Sequence, residues 1–412
     1  MKLVLFAVFA VTTAFTYWLR YINLAYLKEH GAVVPAGFED LVSSETLAKS
    51  SAYTFESSRL GLLESLFDNL LLVLFLFAGL ISLYDGYILS LTGSFILQGI
   101  SFFLLLSWGQ TLLEMPFSVY GTFVVEARHG FNKTTPRLWL TDLVKSQLIG
   151  AVILSLVLGV VFALIQWSPA HWWLWVWGFM ALFTLFMMFI SPYVIEPLFN
   201  KFEPITEAGL EDEIRAMMEK AGLQVGSVMQ MDASKRSGHS NAYFTGIGRV
   251  KRIVLYDTLI KQMTHREIVA VLAHEIGHWR LGHIWKRLLI AETIAFFCAF
   301  GAYHALNWTG LPGLLGLGEI SLAARMMVLG FVASLFTFPL TPLSSWLSRR
   351  QEYEADGFAR EVTGDPEALA TALVKLSAEN LANLHPHPLY AAFYYSHPPV
   401  VERVRALRSC LS

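Results

Sequence analysis

The sequence predicts a mainly α, integral-membrane fold: seven transmembrane helices carrying an α+β cap. Hydrophobic residues make up 55% of the 412 and charged residues only 15%, with a mean hydropathy of +0.51, too apolar for a soluble globule of this size. Long apolar runs, each able to cross about 30 Å of hydrocarbon, recur seven times, at 3–24, 62–83, 95–115, 146–167, 172–191, 287–308 and 322–344. The connections at 25–61, 116–145 and 192–286 and the tail after 345 hold several Lys and Arg, whereas those at 84–94, 168–171 and 309–321 hold none. Seven spans place these two sets on opposite faces in strict alternation, so the basic set faces the cytoplasm and the N-terminus faces away.

The first run follows Lys2 and ends in Trp18, Arg20 and Tyr21. Its length, and the lack of a small-x-small cleavage site after it, identify it as a retained helix rather than a signal peptide. The fifth run opens with Trp172, Trp173, Trp175 and Trp177, an aromatic belt suited to a headgroup boundary. A net charge of −2 and a pI near 6.6 give no nucleic-acid signal, and no such partner is expected. Cys298 and Cys410 give no disulfide framework and no Cys-based metal site, and Cys410 is followed by too few residues to be a prenylation box.

The division expected is 1–191 for spans one to five with their cytoplasmic loops, 192–286 for a cytoplasmic segment, 287–344 for spans six and seven, and 345–412 for a C-terminal catalytic segment. Within the cytoplasmic segment, 206–221 is charged, helix-periodic and stopped by Gly222. Residues 225–231, 240–246 and 252–256 read as strands, the last two separated by a turn at 246–249. A helix over 267–285 follows, starting near Thr264.

That helix carries His274-Glu-Ile-Gly-His278. Residues four apart share one helix face, so the two imidazoles can reach one tetrahedral metal. Glu275 is placed to take a proton from a water at that metal. The pattern therefore points to a zinc peptidase, which needs a third protein ligand. Glu352 is the candidate, on the helix after the seventh span, with Asp356 one turn along the same face as its supporting carboxylate. Glu354 points elsewhere. His283, five beyond His278, is expected off the ligand face and interfacial, and His385 and His387 are expected to be loop residues. A transporter would set its His and carboxylates deep inside spans, and an inactive scaffold would have lost one of His274, Glu275, His278 and Glu352; all four are present.

Six stretches, 126–133, 197–202, 240–246, 274–278, 348–356 and 396–399, together resemble the Ste24-type CAAX prenyl proteases, integral-membrane zinc metallopeptidases of family M48. The resemblance implies seven helices enclosing a hollow, water-filled chamber capped by a zincin-like domain. It implies one zinc per chain on His274, His278 and Glu352, with Glu275 as general base and Asp356 as supporting acid. It also implies that Asn241, Ala242 and Tyr243 receive an extended substrate as an added strand, and that His397 and Arg403 approach the site from the tail. The expected partners are the lipid bilayer and a peptide or lipidated protein substrate, with the chain acting as a monomer. The site would face the cytoplasm, at the inner membrane of a bacterium or the endoplasmic reticulum of a eukaryote. A role like that of the shorter HtpX-type quality-control proteases is the alternative, disfavoured by seven spans.

Overall fold

The computed structural model describes residues 1–245 and 250–409, so the turn expected at 246–249, and Cys410, lie outside the described residues. Six helices form the first half: α1 (Lys2–His30), α2 (Ser44–Leu72), α3 (Leu80–Leu91), α4 (Phe95–Tyr120), α5 (Pro136–Trp167) and α6 (Trp172–Ile190). Short α7 (Glu196–Phe199) leads into β1 (Phe202–Pro204), α8 (Leu210–Lys220), β2 (Gln224–Met231), β3 (Ala242–Thr245), β4 (Val250–Tyr256), α9 (Asp257–Gln262) and α10 (His265–Arg280). The chain finishes with α11 (His283–Asn307), α12 (Leu322–Thr337), α13 (Thr341–Thr363), α14 (Pro366–Glu379), α15 (Pro388–Tyr394) and α16 (Val400–Ser409).

Among the described residues seven helices are long and apolar enough to span, and each contains most or all of one predicted run. They exceed the runs because several continue out of the apolar zone toward the cap: the last, Leu322–Thr363, carries the seventh span and α13 as one rod. One boundary differs from expectation. The second run was read through to 83, but the helix loosens into a wider turn at Val73–Phe77 and breaks at Gly79, whose φ of 88° only glycine adopts readily. The chain then doubles into α3, which occupies much of the connection expected at 84–94.

Each span touches the next in chain order, from α1–α2 through α2–α4, α4–α5, α5–α6, α6–α11 and α11–α12, and α12 returns to α1. Seven helices closed this way form a ring. Its buried side chains gather at one end: Leu5, Leu76, Ile81, Ile88, Phe102, Phe162, Trp172, Leu306, Leu315 and Val328 make a single apolar plug away from the cap. Asp85 pins that plug by accepting from the backbone N–H of Ser321 at 2.7 Å and from its hydroxyl. Between plug and cap the spans bury little; α6 buries only Trp172. The seven helices therefore enclose a chamber rather than a packed bundle.

The cap sits on the basic end. Its sheet has the order β1-β2-β4-β3, with β2 and β4 parallel and β3 antiparallel to β4. Strand β1, paired antiparallel to β2, was not expected, being three residues long. Helix α10 starts at a capping box, Thr264 accepting from Glu267 N–H while Glu267 accepts from Thr264 N–H. Ile268, Leu272 and Ile276, four apart, pack with Leu210, Ile214, Met218, Ile253 and Val374 in the main hydrophobic core. The stretch 126–133 joins ring to cap: the Phe131 ring stacks on His239 at 4.0 Å, Gly238 N–H donates to Phe131 O at 2.9 Å, and Arg236 pairs with Asp142 at 2.8 Å.

Candidate metal centre

Three donor atoms converge where α10 crosses α13. His274 Nε2 lies 3.3 Å from His278 Nε2, His274 Nε2 lies 3.3 Å from Glu352 Oε2, and His278 Nε2 lies 3.3 Å from Glu352 Oε1. A tetrahedral site with bonds of about 2.0–2.1 Å has edges of about 3.3–3.4 Å, so the spacing fits a single zinc-sized ion. Among the described residues this is the one cluster of three or more His, Cys, Asp and Glu spaced to hold a metal. Glu352 Oε2 is buried without a hydrogen-bond partner. A buried carboxylate oxygen is costly to leave bare, and a cation there would satisfy it.

The two helices approach closely because Gly277 lies between the histidines. A methyl group at that position would stand 3.1 Å from Ala355 Cα and 3.2 Å from Ala355 O. Small residues on both helices thus bring Glu352 to the histidines.

His274 is oriented from behind. Its Nδ1 lies 2.8 Å from Asp356 Oδ1, and buried Arg403 holds Asp356 with two donors, Nε to Oδ2 at 2.9 Å and Nη2 to Oδ1 at 2.6 Å. Arg403 Nη1 also stands 3.5 Å from Glu352 Oε2. The tail therefore delivers Arg403 to the site as expected. His397 comes to 3.5 Å from Glu352 Oε1 but remains largely exposed at the rim. Glu275, half-buried beside this group, has its carboxyl pushed above the usual range by burial.

Strand β3 is an edge strand, hydrogen-bonded on one side to β4 and contacting α10. Asn241 is exposed at its start and accepts from Ala242 N–H at 2.8 Å, Ala242 is buried in the cap core, and the Tyr243 hydroxyl donates to Glu196 at 2.5 Å. The substrate strand expected here thus has a free edge, though Tyr243 points its hydroxyl at α7. His385 and His387 are loop residues, as expected: His385 Nε2 meets Val33 O and His387 Nδ1 accepts from Leu389 N–H.

His283 departs from expectation. Counting along one continuous helix over 267–285 placed it off the ligand face, but α10 ends at Arg280 and α11 restarts at His283 after Gly282, whose φ is 71°. The break turns His283 back toward His278, and its side chain is almost fully buried. The signal missed was the glycine directly before it.

A membrane ring carrying a His-Glu-x-x-His helix with a carboxylate from a second helix defines an integral-membrane metallopeptidase, and the ligand set on the cap helices excludes the transporter reading. Residues 204–411 match the peptidase family M48 model and residues 23–201 match that of the CAAX prenyl protease N-terminal region with its five membrane helices. The chain belongs to peptidase family M48. It is similar to the CAAX prenyl protease 1 homolog of Arabidopsis thaliana, 35% identical and covering 91% of this chain and 90% of that one. The CAAX prenyl protease 1 of Saccharomyces cerevisiae is 32% identical over 93% of this chain and 90% of its own. The crystal structure of S. mikatae Ste24p superposes with a TM-score of 0.92 at 30% identity, covering 98% of each chain.

Proposed function

We propose that this chain is a zinc endopeptidase cleaving near the C-terminus of prenylated CAAX-type proteins, acting as a monomer from the cytoplasmic side of its membrane. The observation that carries the reading is the set of three donors at tetrahedral spacing, placed where the cap closes a hollow membrane ring. His274, His278 and Glu352 would hold zinc, which supplies Lewis-acid polarisation of the scissile carbonyl and lowers the pKa of water at its open position.

Glu275 removes the proton from the attacking water and passes it to the leaving amine, a task suited to a carboxyl whose affinity for protons burial has raised. Asp356, clamped by Arg403, accepts from His274 Nδ1 and so turns Nε2 toward the ligand position. Arg403 behind Glu352 supplies positive charge, and His397 at the rim, kept neutral by desolvation, a ring N–H donor, where an oxyanion or a terminal carboxylate would sit. The free edge beginning at Asn241 and running through Ala242 and Tyr243 accepts the substrate backbone as an added strand. The relatives named for CAAX prenyl processing support this substrate, and a hollow ring offers room for its apolar tail.

The test is zinc analysis of the purified chain together with hydrolysis of a farnesylated CAAX peptide, with and without chelator. Zinc near one per chain and cleavage abolished by chelator and restored by added zinc are expected. Cleavage of an unprenylated membrane peptide in preference to the farnesylated one would redirect the substrate to membrane-protein quality control.

A further inference from the structure

The two histidines of the proposed zinc site are backed differently. His274 meets a carboxylate directly. His278 has its Nδ1 3.1 Å from His283 Nδ1, and His283 Nε2 lies 3.0 Å from Glu354 Oε2. Arg350 Nε in turn holds the other oxygen, Glu354 Oε1, at 3.1 Å. We propose that His283 and Glu354 form a positioning relay, Glu354–His283–His278, which fixes the ring and tautomer of His278 for metal binding.

The proton positions follow from the geometry. His278 Nε2 faces Glu352 and His274, so its Nδ1 carries the hydrogen when Nε2 ligates. His283 Nδ1 must then accept, which leaves its hydrogen on Nε2, aimed at Glu354. Only one arrangement of hydrogens satisfies all three links, and Glu354, an acceptor at its far end, selects it. Glu354 is two residues past Glu352 on α13 and faces away from the ligand cluster, so a single helix supplies the third ligand with one face and the backing of His278 with another. The left-handed Gly282 is what lets His283 reach back.

This inference rests on the zinc-site reading, and the experiment separates the two. The full chain in detergent is prepared as wild type, Glu354→Leu, His283→Phe, His283→Asn and Glu352→Ala, and zinc affinity is measured by competition with a chromophoric chelator. Cobalt spectra of the same proteins report ligand geometry, and apo-protein melting reports folding. Glu354 is 40% exposed, so its replacement leaves the fold intact even if His283→Phe does not. A loss of affinity of about tenfold for Glu354→Leu, which removes the acceptor, and up to about a hundredfold for His283→Phe is expected. His283→Asn, which keeps an acceptor near His278 Nδ1, should recover part of the loss, and cobalt bands should shift in the order of affinity. Zinc affinities and cobalt spectra equal to wild type in Glu354→Leu and in whichever His283 variant folds, while Glu352→Ala loses zinc, would overturn the relay. Undiminished zinc affinity in Glu352→Ala would instead overturn the site itself.

Discussion

Helix α10 in the cap buries Ile268, Leu272 and Ile276 within a span of nine residues, whereas the longer and more apolar α6 in the ring buries only Trp172. Leu182 on α6 is 71% exposed; Ile268 is fully buried. In water, a leucine left outside costs about 1.5–3 kcal/mol of lost burial, so the cap must pack inward around its sheet. In a bilayer the tails solvate leucine as well as another helix does, and no such force collapses the ring. The same chain therefore builds a dense half that holds three donor atoms at metal-binding spacing and a sparse half that can stay hollow.

The contrast is broken most sharply at the site. Glu275→Gln should keep zinc and lose about a thousandfold in kcat or more, since the amide leaves both ligands untouched but accepts no proton. Turnover near wild type on a farnesylated peptide would remove Glu275 as the base.

Arg403→Met should come next. It strips the buried Asp356 of both Arg403 donors and of its balancing charge, leaving the carboxylate held by His274 alone, which costs about 3–5 kcal/mol of stability. Chemical denaturation of the cap would measure it. Arg403→Lys, with a single ammonium in place of the fork, should recover only part.

Packing gives a paired comparison of smaller size. Ile268→Ala should lower stability by about 2–5 kcal/mol, because it opens a cavity in the cap core. Leu182→Ala, at an exposed position of the ring, should change it by well under 1 kcal/mol, since no packed core closes around it. Equal losses would mean that the ring is packed as tightly as the cap.

The two halves were also unequally legible. Bilayer thickness imposes a length on apolar runs, so all seven spans could be read from hydropathy, and the four-residue spacing of His274 and His278 needs only helix geometry. What escaped were the places where a glycine resets the direction of the chain. Gly79 ends the second span early and creates α3, and Gly282 folds His283 back onto His278; periodicity counted across either break assigns the wrong face. Strand β1 escaped because three residues give no alternation, its pairing with β2 being a tertiary fact. The two histidines that Glu352 joins lie more than seventy residues before it, so helix position and Asp356 made it a candidate and the resemblance implied it as ligand, while the close crossing at Gly277 and Ala355 is the physical reason it gets there.

The smallest effect tests the hollow half directly. Asp68, Asn69, Gln98 and Glu292 lie within spans, where ionisable and amide groups are expensive against lipid. Two of them have protein partners: Asn69 donates to the Tyr17 hydroxyl at 2.6 Å, joining the first two spans, and Gln98 donates to Thr92 O at 2.7 Å within its own helix end. Asp68 and Glu292 are only partly covered, so an aqueous lumen is the environment that would keep them solvated. In a background with Cys298 and Cys410 replaced by serine, Asp68→Cys and Glu292→Cys should react within minutes with a small charged thiol reagent. Asn69→Cys and Gln98→Cys should react more slowly, and Val328→Cys in the buried plug hardly at all. If Asp68→Cys and Glu292→Cys resist labelling as well as Val328→Cys does, water does not reach the ring's interior, and the difference between the two halves is one of packing alone.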